Sequence, residues 1–292
     1  MKLIAQKKLF LEHTVQQFYP QFTGNGKEDI TIRHLLTHSS GLPGYYQFFL
    51  DDQISTKEDV LDYILNVKLH SEPGSHYEYS DLGFILLTSI IEKVANRSID
   101  RLAHSYFFGP LGMHHTRYNP PLEWKRKVAP TEIDSIYRNR LIHGEVHDEN
   151  THLMGGVSGH AGIFSTAKEI ARYAQMLVDG GIWEGRRILK KSQIQEFTKV
   201  QHIPQDSDLA LGWDTPSQSG KSIAGDYFTP GSFGHLGYTG TSLWIDPNEG
   251  IIIVLLTNRV HPSRKADQGS KEMYGIRREF QNSVMAQLIA EK

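Results

Sequence analysis

Two strand-like segments near the end of the 292-residue chain limit the possible folds most strongly. TSLWID (241–246) and GIIIVLLTN (250–258) flank the short turn-forming stretch PNE, and such a pair predicts an antiparallel β-hairpin. The stretch KEMYGIRREFQNSVMAQLIAE follows the pair and has helical apolar spacing. We therefore expect a C-terminal helix that packs back on the hairpin.

Helical patterns also occur earlier in the chain. SDLGFILLTSIIEKVA (80–95) has an apolar stripe with many further apolar residues beside it, which predicts a deeply buried helix. STKEDVLDYILNV (55–67) predicts a helix that begins with Ser55 as its cap and Glu58 completing a capping box. STAKEIARYAQML (165–177) predicts a third amphipathic helix.

The stretch between these helices is irregular and rich in glycine and histidine. From PLGMHH (110–115) to VSGHAG (157–162) no period is visible, and long irregular segments tend to carry function. No internal repeat, low-complexity tract or linker interrupts the chain. We therefore expect one domain over residues 1–292, of the α+β class, with helices flanking an antiparallel sheet.

Composition argues against several classes of function. The chain has 31 basic and 33 acidic residues, a formal net charge of -2, and so offers no basic field for nucleic acid. It has no cysteine, which excludes disulfides, thiolate metal sites and cysteine nucleophiles. The longest apolar run, 251–256, is too short to span a membrane, and Lys7 and Lys8 interrupt any signal-peptide core. As written, the chain is expected to be cytoplasmic.

The first residues have the pattern of a helix interior. MKLIAQKKL has helical apolar spacing and no capping residue before it. We expect Leu3, Ile4 and Leu9 to lack packing partners, which would leave an exposed apolar patch through which the chain could self-associate.

The fifteen histidines raise the question of a metal site. His143 and His147 are four residues apart, a spacing that can ligate zinc on one helix face. Gly144 and Val146 make a poor helix between them. We expect no metal and no other cofactor.

Four segments together resemble one enzyme superfamily. They are ITIRHLLTHSSGLP (30–43), YEYSDLGF (77–84), GHAGIFSTA (159–167) and FGHLGYTGTSLWIDP (233–247). In this order and spacing they resemble the serine β-lactamase, DD-peptidase and esterase superfamily, most closely its penicillin-binding-protein and class C branch. The resemblance implies a β-lactamase/transpeptidase-like fold whose N-terminal elements are missing from this sequence. Members of the superfamily are often periplasmic or extracellular, so a lost N-terminal signal is the alternative to a cytoplasmic location.

That superfamily uses three active-site elements. A Ser-x-x-Lys motif at a helix N-terminus places the lysine amine one turn from the hydroxyl that it deprotonates. A Tyr-x-Asn loop relays protons and orients the substrate. A Lys-Thr-Gly or His-x-Gly strand binds the substrate backbone and supplies an oxyanion-hole amide.

Two of these elements have counterparts in the chain. Tyr79-Ser80-Asp81 matches the second element and His235-Leu236-Gly237 the third, so the resemblance implies catalytic roles for Tyr79, Asp81 and His235. It also implies that Gly237 and Tyr238 serve substrate and oxyanion binding, with the Tyr238 amide as the donor. Each residue has an ordinary alternative: Tyr79 as a core tyrosine, Asp81 as a helix cap, and His235 as an exposed strand histidine.

The nucleophile motif is not at its expected place. In the superfamily it lies upstream of a segment like MKLIAQKKLFLEHTVQQFYPQF, so we expect the serine to precede residue 1. The one Ser-x-x-Lys match within the chain is Ser165 to Lys168, and about one such match is expected by chance. Because Ser165 stands where a helix needs its cap, we expect it to be a cap and not a nucleophile.

The departures from the superfamily pattern bear on the substrate. Asp81 in place of asparagine loses the amide donor and adds a negative charge. Leu236 replaces a small hydroxyl residue, and His235 is mostly neutral near pH 7 where lysine is charged. We therefore expect an esterase or DD-peptidase acting on a small molecule or a peptidoglycan peptide. We expect it to be inactive or impaired in this chain because the nucleophile motif is absent. The alternative is a non-catalytic remnant or a binding protein for cell-wall-derived peptides.

Overall fold

The computed structural model describes residues 1–217, 222–264 and 270–290. They form two compact units, each assembled from segments that are separate in sequence. The first unit comprises Met1–Leu122, Gly144–Phe164 and Gln201–Ser207, and the second comprises Glu123–His143, Ser165–Val200 and Asp208–Lys292. A single domain over residues 1–292 stays a prediction.

The first unit is helical in the part of the chain that the structure describes. Its α-helices are α1 (Lys2–Ala5), α2 (Ile32–Leu36), α3 (Lys57–Asn66), α4 (Asp81–Ala95), α5 (Ile99–Ala103) and α6 (Glu149–Leu153).

Helix α4 supplies much of the core of the first unit. Leu82, Leu86 and Ile90 are fully buried. They lie in one cluster with apolar side chains of α2, of α3 and of residues 3–30. Burying a side chain of this size stabilises a fold by roughly 1.5–3 kcal/mol. The prediction of a deeply buried helix over residues 80–95 is confirmed.

The N-terminal segment differs from the expected helix interior. Helix α1 ends at Ala5, and Lys7 adopts a left-handed backbone with φ of 58°. The chain then turns back, and the Lys8 N–H donates to the Leu3 carbonyl over 2.9 Å. This turn directs both Leu3 and Leu9 into the core, where they are buried, while Ile4 is half-buried. The expected exposed patch is therefore wrong, and the expectation of self-association loses its premise.

The cap of α3 lies one residue later than expected. Thr56, not Ser55, accepts a hydrogen bond from the Asp59 N–H. The Asp59 carboxylate accepts from the Thr56 and Ser55 N–H groups, each over 2.9 Å, so that Asp59 and not Glu58 completes the capping box. Ser and Thr are both good caps, so the sequence alone does not predict which of two adjacent hydroxyl residues is the cap.

The second unit contains the β-structure of the described residues. Its strands are β1 (Glu132–Asp134), β2 (Arg140–Ile142), β3 (Ile182–Trp183), β4 (Arg186–Arg187), β5 (Phe233–Leu236), β6 (Ser242–Asp246) and β7 (Ile251–Leu255), and its helices are α7 (Ala167–Val178), α8 (Lys191–Thr198) and α9 (Ser270–Ala290).

The hairpin that the sequence predicts is present as β6 and β7. The two strands pair antiparallel from Ser242 opposite Leu255 to Asp246 opposite Ile251, and β5 adds to the other edge of β6 to make a three-stranded sheet. Helix α9 packs on this sheet through Val284 and Met285, which contact a cluster that contains Trp244 and Ile253. Both the hairpin and its covering helix are confirmed.

The irregular middle of the chain contains some regular structure. Strands β1 and β2 pair antiparallel across a turn that Asp134 holds together, accepting hydrogen bonds from the N–H groups of Ile136, Tyr137 and Arg138. Burial alone would raise the pKa of Asp134, but these bonds and the Arg138 side chain hold it far below its usual range. Strands of three residues are too short to show a period in sequence.

The α+β expectation is confirmed, since the described residues combine helices with small sheets whose strands all pair antiparallel. Within residues 1–217, 222–264 and 270–290, no helix combines the length and the apolar character needed to cross a bilayer.

Candidate active site

The Tyr79-Ser80-Asp81 segment is fixed to the turn that ends the HSSGLPG motif. Ser80 is buried and caps α4, accepting from the Gly83 N–H over 3.0 Å and donating to the Pro43 carbonyl over 2.7 Å. The Ser80 N–H donates to Nδ1 of His38 over 2.9 Å, and the Asp81 N–H donates to the Gly44 carbonyl over 2.8 Å. Hydrogen bonds thus join two of the motifs that carry the resemblance.

Tyr79 lies at the protein surface, beside these two motifs. The residue is 48% exposed, which excludes the alternative of a core tyrosine. The ring stacks on His38, with ring centroids 4.3 Å apart, and His38 in turn stacks on Phe84. The stack orients the Tyr79 ring without burying it, as a proton-relaying hydroxyl requires.

Asp81 is the first residue of α4 and not its cap, because Ser80 fills that position. Its carboxyl lies in a cluster with Asp148 and His160, whose side chains each offer one polar atom within 4.8 Å of the others. Burial raises the pKa of Asp81 to about 6, with the charge of His160 opposing this shift and that of Asp148 adding to it.

Asp148 and His160 form a hydrogen-bonded pair beside Asp81. Nε2 of His160 lies 3.1 Å from Oδ1 of Asp148, and Nδ1 lies 2.8 Å from the Ser158 hydroxyl. Burial would raise the pKa of Asp148, but its bonds to His160 and Thr151 lower it to about 2. Burial also opposes the charged form of His160, yet the two carboxylates outweigh it and raise the His160 pKa. Both shifts indicate an ion pair.

The HGEVH segment does not present its histidines on a helix. His143 and His147 lie between β2 and α6, and Gly144 has a φ of 74°. Nε2 of His143 is bonded to the Val128 carbonyl over 2.7 Å. The i, i+4 helix geometry of a zinc site is therefore not present in this segment.

His235 lies in β5, opposite Leu243 of β6. Its side chain is half-buried, and Nδ1 donates to the Leu236 carbonyl over 2.8 Å, which leaves Nε2 as the acceptor in the neutral ring. Asp214 pairs with the neighbouring Gly234 through two backbone hydrogen bonds of 2.9 Å. Burial raises the pKa of Asp214, and the charge of His235 opposes that rise.

The turn after β5 is held from two sides by arginines. Buried Arg277 of α9 donates to the carbonyls of Gly237 and Thr241 over 2.6 and 2.7 Å. The Nε of Arg259 donates to the Tyr238 carbonyl over 2.6 Å, and its guanidinium lies 4.5 Å from the Tyr238 ring centroid. The backbone of Tyr238 is thereby fixed although the residue as a whole is 58% exposed.

Gly237 is needed for the shape of this turn. Its N–H donates to the Thr241 carbonyl over 2.8 Å, so this amide is committed within the turn. A Cβ at this position would lie 2.1 Å from the Thr241 hydroxyl. Gly237 therefore helps to shape the turn that carries the Tyr238 amide, and a role of either residue at an oxyanion site stays a prediction.

Ser165 is not the cap of α7, contrary to the sequence expectation. The Thr166 side chain accepts from the Glu169 N–H over 3.3 Å and fills the cap position, while Ser165 precedes it. Lys168 is exposed in the first turn.

We expect Thr166→Ala to lower the free energy of unfolding by about 1 kcal/mol, because it removes the acceptor for an N-terminal amide of α7. The adjacent Ser165→Ala is the control and is expected to change stability by less than about 0.5 kcal/mol. Urea denaturation of both variants measures the difference. A larger loss in Ser165→Ala would contradict the assignment of the cap.

The residues implied by the resemblance divide between the two units. Tyr79 and Asp81 belong to the first, together with Asp148 and His160, whereas His235, Gly237 and Tyr238 belong to the second. Their joint action at one site stays a prediction. Asp148, His160, Asp214 and Arg277 were not identified from sequence, although His160 lies within the GHAG segment that contributes to the resemblance.

Comparison with known proteins agrees with the motifs. A family model described as Beta-lactamase matches residues 1–273. A protein of Escherichia coli (strain K12) named "Putative D-alanyl-D-alanine carboxypeptidase" is 31% identical over an alignment of 302 positions with gaps, which covers 94% of this chain and 68% of that protein. A protein of the same name from Salmonella enteritidis is 31% identical, with coverage of 89% of this chain and 66% of that protein. The chain thus spans about two thirds of the length of these relatives.

A solved structure shows the same fold. A penicillin-binding protein homologue from Caulobacter crescentus superposes with a TM-score of 0.68 at 18% sequence identity, covering 88% of this chain and 72% of that one. The match of the family model over most of the sequence, the two relatives and this structural likeness agree. The chain belongs to the β-lactamase family of serine hydrolases.

Proposed function

We propose that this chain carries the second and third active-site elements of a serine hydrolase that works through an acyl-enzyme. The observation that carries the proposal is the fixed Tyr79-Ser80-Asp81 segment, whose backbone is bonded to His38 and Gly44 while the tyrosine ring faces solvent. A catalytic loop needs this combination of a rigid backbone and an accessible side chain.

The proposed roles follow from chemistry. A serine that attacks a carbonyl needs a base and a relay for its proton, and the Tyr79 hydroxyl serves as that relay. The tetrahedral intermediate carries an oxyanion, which the Tyr238 amide stabilises from the arginine-bound turn. His235 and Asp81 are each proposed to contact the substrate.

The nucleophile is proposed to come from a Ser-x-x-Lys segment that is not among these 292 residues. Ser165 does not serve, because it stands before the cap of α7 and its lysine partner is exposed. Without a nucleophile and its ammonium, the remaining groups bind and polarise a substrate but do not form the covalent intermediate. The chain alone is therefore proposed to be inactive in acyl transfer.

The proposed substrates are uncharged or cell-wall-derived esters and peptides. The relatives named as D-alanyl-D-alanine carboxypeptidases suggest a peptidoglycan peptide. The half-buried Asp81 carboxyl and the apolar Leu236 disfavour a substrate carboxylate at the positions where asparagine and a hydroxyl residue would bind it. These two features favour uncharged substrates over penicillin-like anions.

A second candidate is a non-catalytic binding protein for cell-wall-derived peptides. The only Ser-x-x-Lys match in the sequence stands at an exposed helix start, where its serine precedes the cap. A chain without a usable nucleophile would bind such peptides without cleaving them, and this favours the binding protein. It uses the same binding residues and differs only in turnover.

Intact-protein mass spectrometry tests the proposal. The 292-residue chain and its Ser165→Ala variant are incubated with a reactive β-lactam and with an activated ester. We expect no covalent adduct on either protein. An adduct on the unmodified chain that disappears in Ser165→Ala would make Ser165 the nucleophile and overturn the proposal, and an adduct on both would assign the chemistry to another residue.

The same measurement on an extended protein, in which a Ser-x-x-Lys segment precedes residue 1, separates the two candidates. Adduct formation followed by hydrolysis supports the enzyme. Peptide binding without any adduct supports the binding protein.

A further inference from the structure

The trio of Asp81, Asp148 and His160 joins three separate elements of the first unit. Asp81 begins α4, Asp148 caps α6 by accepting from the Thr151 N–H over 2.6 Å, and His160 lies in the GHAG segment. His160 is nearly sealed, with a side chain only 3% exposed, while that of Asp148 is 23% exposed. A buried ionisable side chain of this kind needs a counter-charge and hydrogen bonds at both nitrogens.

Both nitrogens of His160 are occupied by protein groups. Nδ1 is bonded to the Ser158 hydroxyl over 2.8 Å, and Nε2 lies 3.1 Å from both Oδ1 of Asp148 and the Thr151 hydroxyl. A metal ion bound to this histidine would have to displace one of these partners. The observed bonds therefore describe an ion pair and not a cation site.

Asp81 is the member of the trio whose carboxyl has no hydrogen-bond donor among the described residues. The charges that act on it are the attractive one of His160 and the repulsive one of Asp148. Other ionisable groups near this segment are engaged elsewhere. Nδ1 of His38 accepts from the Ser80 N–H, and the Glu78 carboxylate accepts from the Gly44 N–H and contacts His70.

We propose that the Asp148–His160 ion pair sets the charge of the Asp81 carboxyl, and through it the charge of the substrates that the site accepts. The inference rests on the proposed function and deepens it by naming Asp148 and His160 as positioning residues. When protonated, Asp81 offers an O–H donor that replaces the N–H donor of the asparagine it stands for. When ionised, it is an acceptor only and repels a substrate carboxylate.

The Asp81 carboxyl changes its protonation state at a pH that experiments can reach. Burial raises the pKa of Asp81 to about 6, so the carboxyl is protonated below that pH and ionised above it. The charged form of His160 opposes the rise, and Asp148 keeps His160 charged. Removing His160 is therefore expected to raise the pKa of Asp81 further, and removing Asp148 to lower that of His160.

Carboxyl and imidazole titration by NMR tests the inference on the 292-residue chain. In protein labelled at the aspartate carboxyl carbons and histidine rings, we expect His160→Gln to raise the midpoint of Asp81 by about one pH unit or more. Asp148→Asn is expected to lower the midpoint of His160 by a similar amount. Asp179→Asn, a change of the same kind in the second unit, is the control and should move neither.

Equal Asp81 midpoints in the wild type and in His160→Gln would overturn the inference. If His160→Gln does not fold, Asp81→Asn provides a second variant, because removal of the Asp81 charge should lower the midpoint of His160. An unchanged His160 midpoint in both Asp81→Asn and Asp148→Asn would contradict the coupling equally.

Binding of two probes tests the consequence for substrates. N-acetyl-D-alanine carries a carboxylate, and its amide is uncharged. We expect the acid to bind roughly tenfold more weakly at pH 8 than at pH 5, and Asp81→Asn to remove that difference, whereas the amide should bind equally at both pH values. A pH-independent preference for the acid would overturn the inference.

The titration requires no turnover, which separates this inference from the proposed function. Coupled midpoints together with no binding of either probe and no adduct on the extended protein would contradict the proposed function alone. Normal adduct formation together with uncoupled midpoints would contradict the inference alone.

Discussion

Tyr79→Phe in the extended protein is expected to lower the acylation rate by about 10²- to 10⁴-fold. The substitution removes the hydroxyl proposed to relay the proton of the serine, and general acid–base groups contribute rate factors of that size. The phenyl ring keeps the stacking on His38, whose centroid lies 4.3 Å away, so the fold should be unaffected. Stopped-flow acylation by an activated ester measures the rate.

Tyr77→Phe is the matched control, because Tyr77 lies two positions earlier, is 40% exposed and also contacts His38 edge-on. It should change the acylation rate less than about threefold, since no proton transfer is assigned to it. Similar losses in both variants, or full activity in Tyr79→Phe, would contradict the role assigned to Tyr79.

Arg277→Ala is expected to lower the free energy of unfolding by about 3 kcal/mol. The buried guanidinium donates to the carbonyls of Gly237 and Thr241, and its loss leaves both acceptors without this partner. The turn that carries the Tyr238 amide should also shift, because Arg277 fixes both of its ends. Chemical denaturation measures the stability, and backbone amide NMR shifts of residues 237–241 report the turn.

Arg278→Ala provides the control at the next position of the same helix. The Arg278 side chain is 31% exposed and pairs with Asp226 at the surface, and it donates to the Ser222 carbonyl over 3.0 Å. Exposed ion pairs contribute roughly 0–1 kcal/mol, so its removal should cost about 1 kcal/mol and leave the turn in place. A larger loss for Arg278→Ala than for Arg277→Ala would contradict the account of the turn.

The elements that sequence predicted well are those with long, regular patterns. Helix α4 and the β6–β7 hairpin show periods of 3.6 and 2 over enough residues to be recognised, and α9 follows with helical spacing. The three-residue strands β1 and β2 were missed, since so short a stretch has no measurable period. The left-handed Lys7, which turns Leu9 into the core, has no sequence signal comparable to glycine.

The candidate site was predictable as far as its motifs extend. The YSD and HLG motifs predict Tyr79, Asp81 and His235 as site residues, which stays a prediction, and the structure adds how the first two are held. His160 and Asp148 are distant from Asp81 in sequence, and only folding places their polar atoms within 4.8 Å of it. The role of Arg277 likewise depends on packing, because a helix pattern does not predict which turn an arginine side chain contacts.

Adjacent capping residues were the commonest error, and they share one cause. Ser55 and Thr56, and likewise Ser165 and Thr166, are neighbouring hydroxyl residues before a helix. Either member of such a pair satisfies the chemical preference for a cap, and the choice depends on where the packed helix begins. In both helices the threonine is the cap.

The most direct test of the central claim is to locate the acyl group on the extended protein. Peptide mapping by mass spectrometry after a short incubation with an activated ester identifies the modified residue. We predict a single adduct on the serine of the added Ser-x-x-Lys segment, strongly reduced by Tyr79→Phe and unaffected by Ser165→Ala. An adduct on Ser165, or none on the added serine, would contradict the claim that this chain carries the second and third active-site elements of a serine hydrolase.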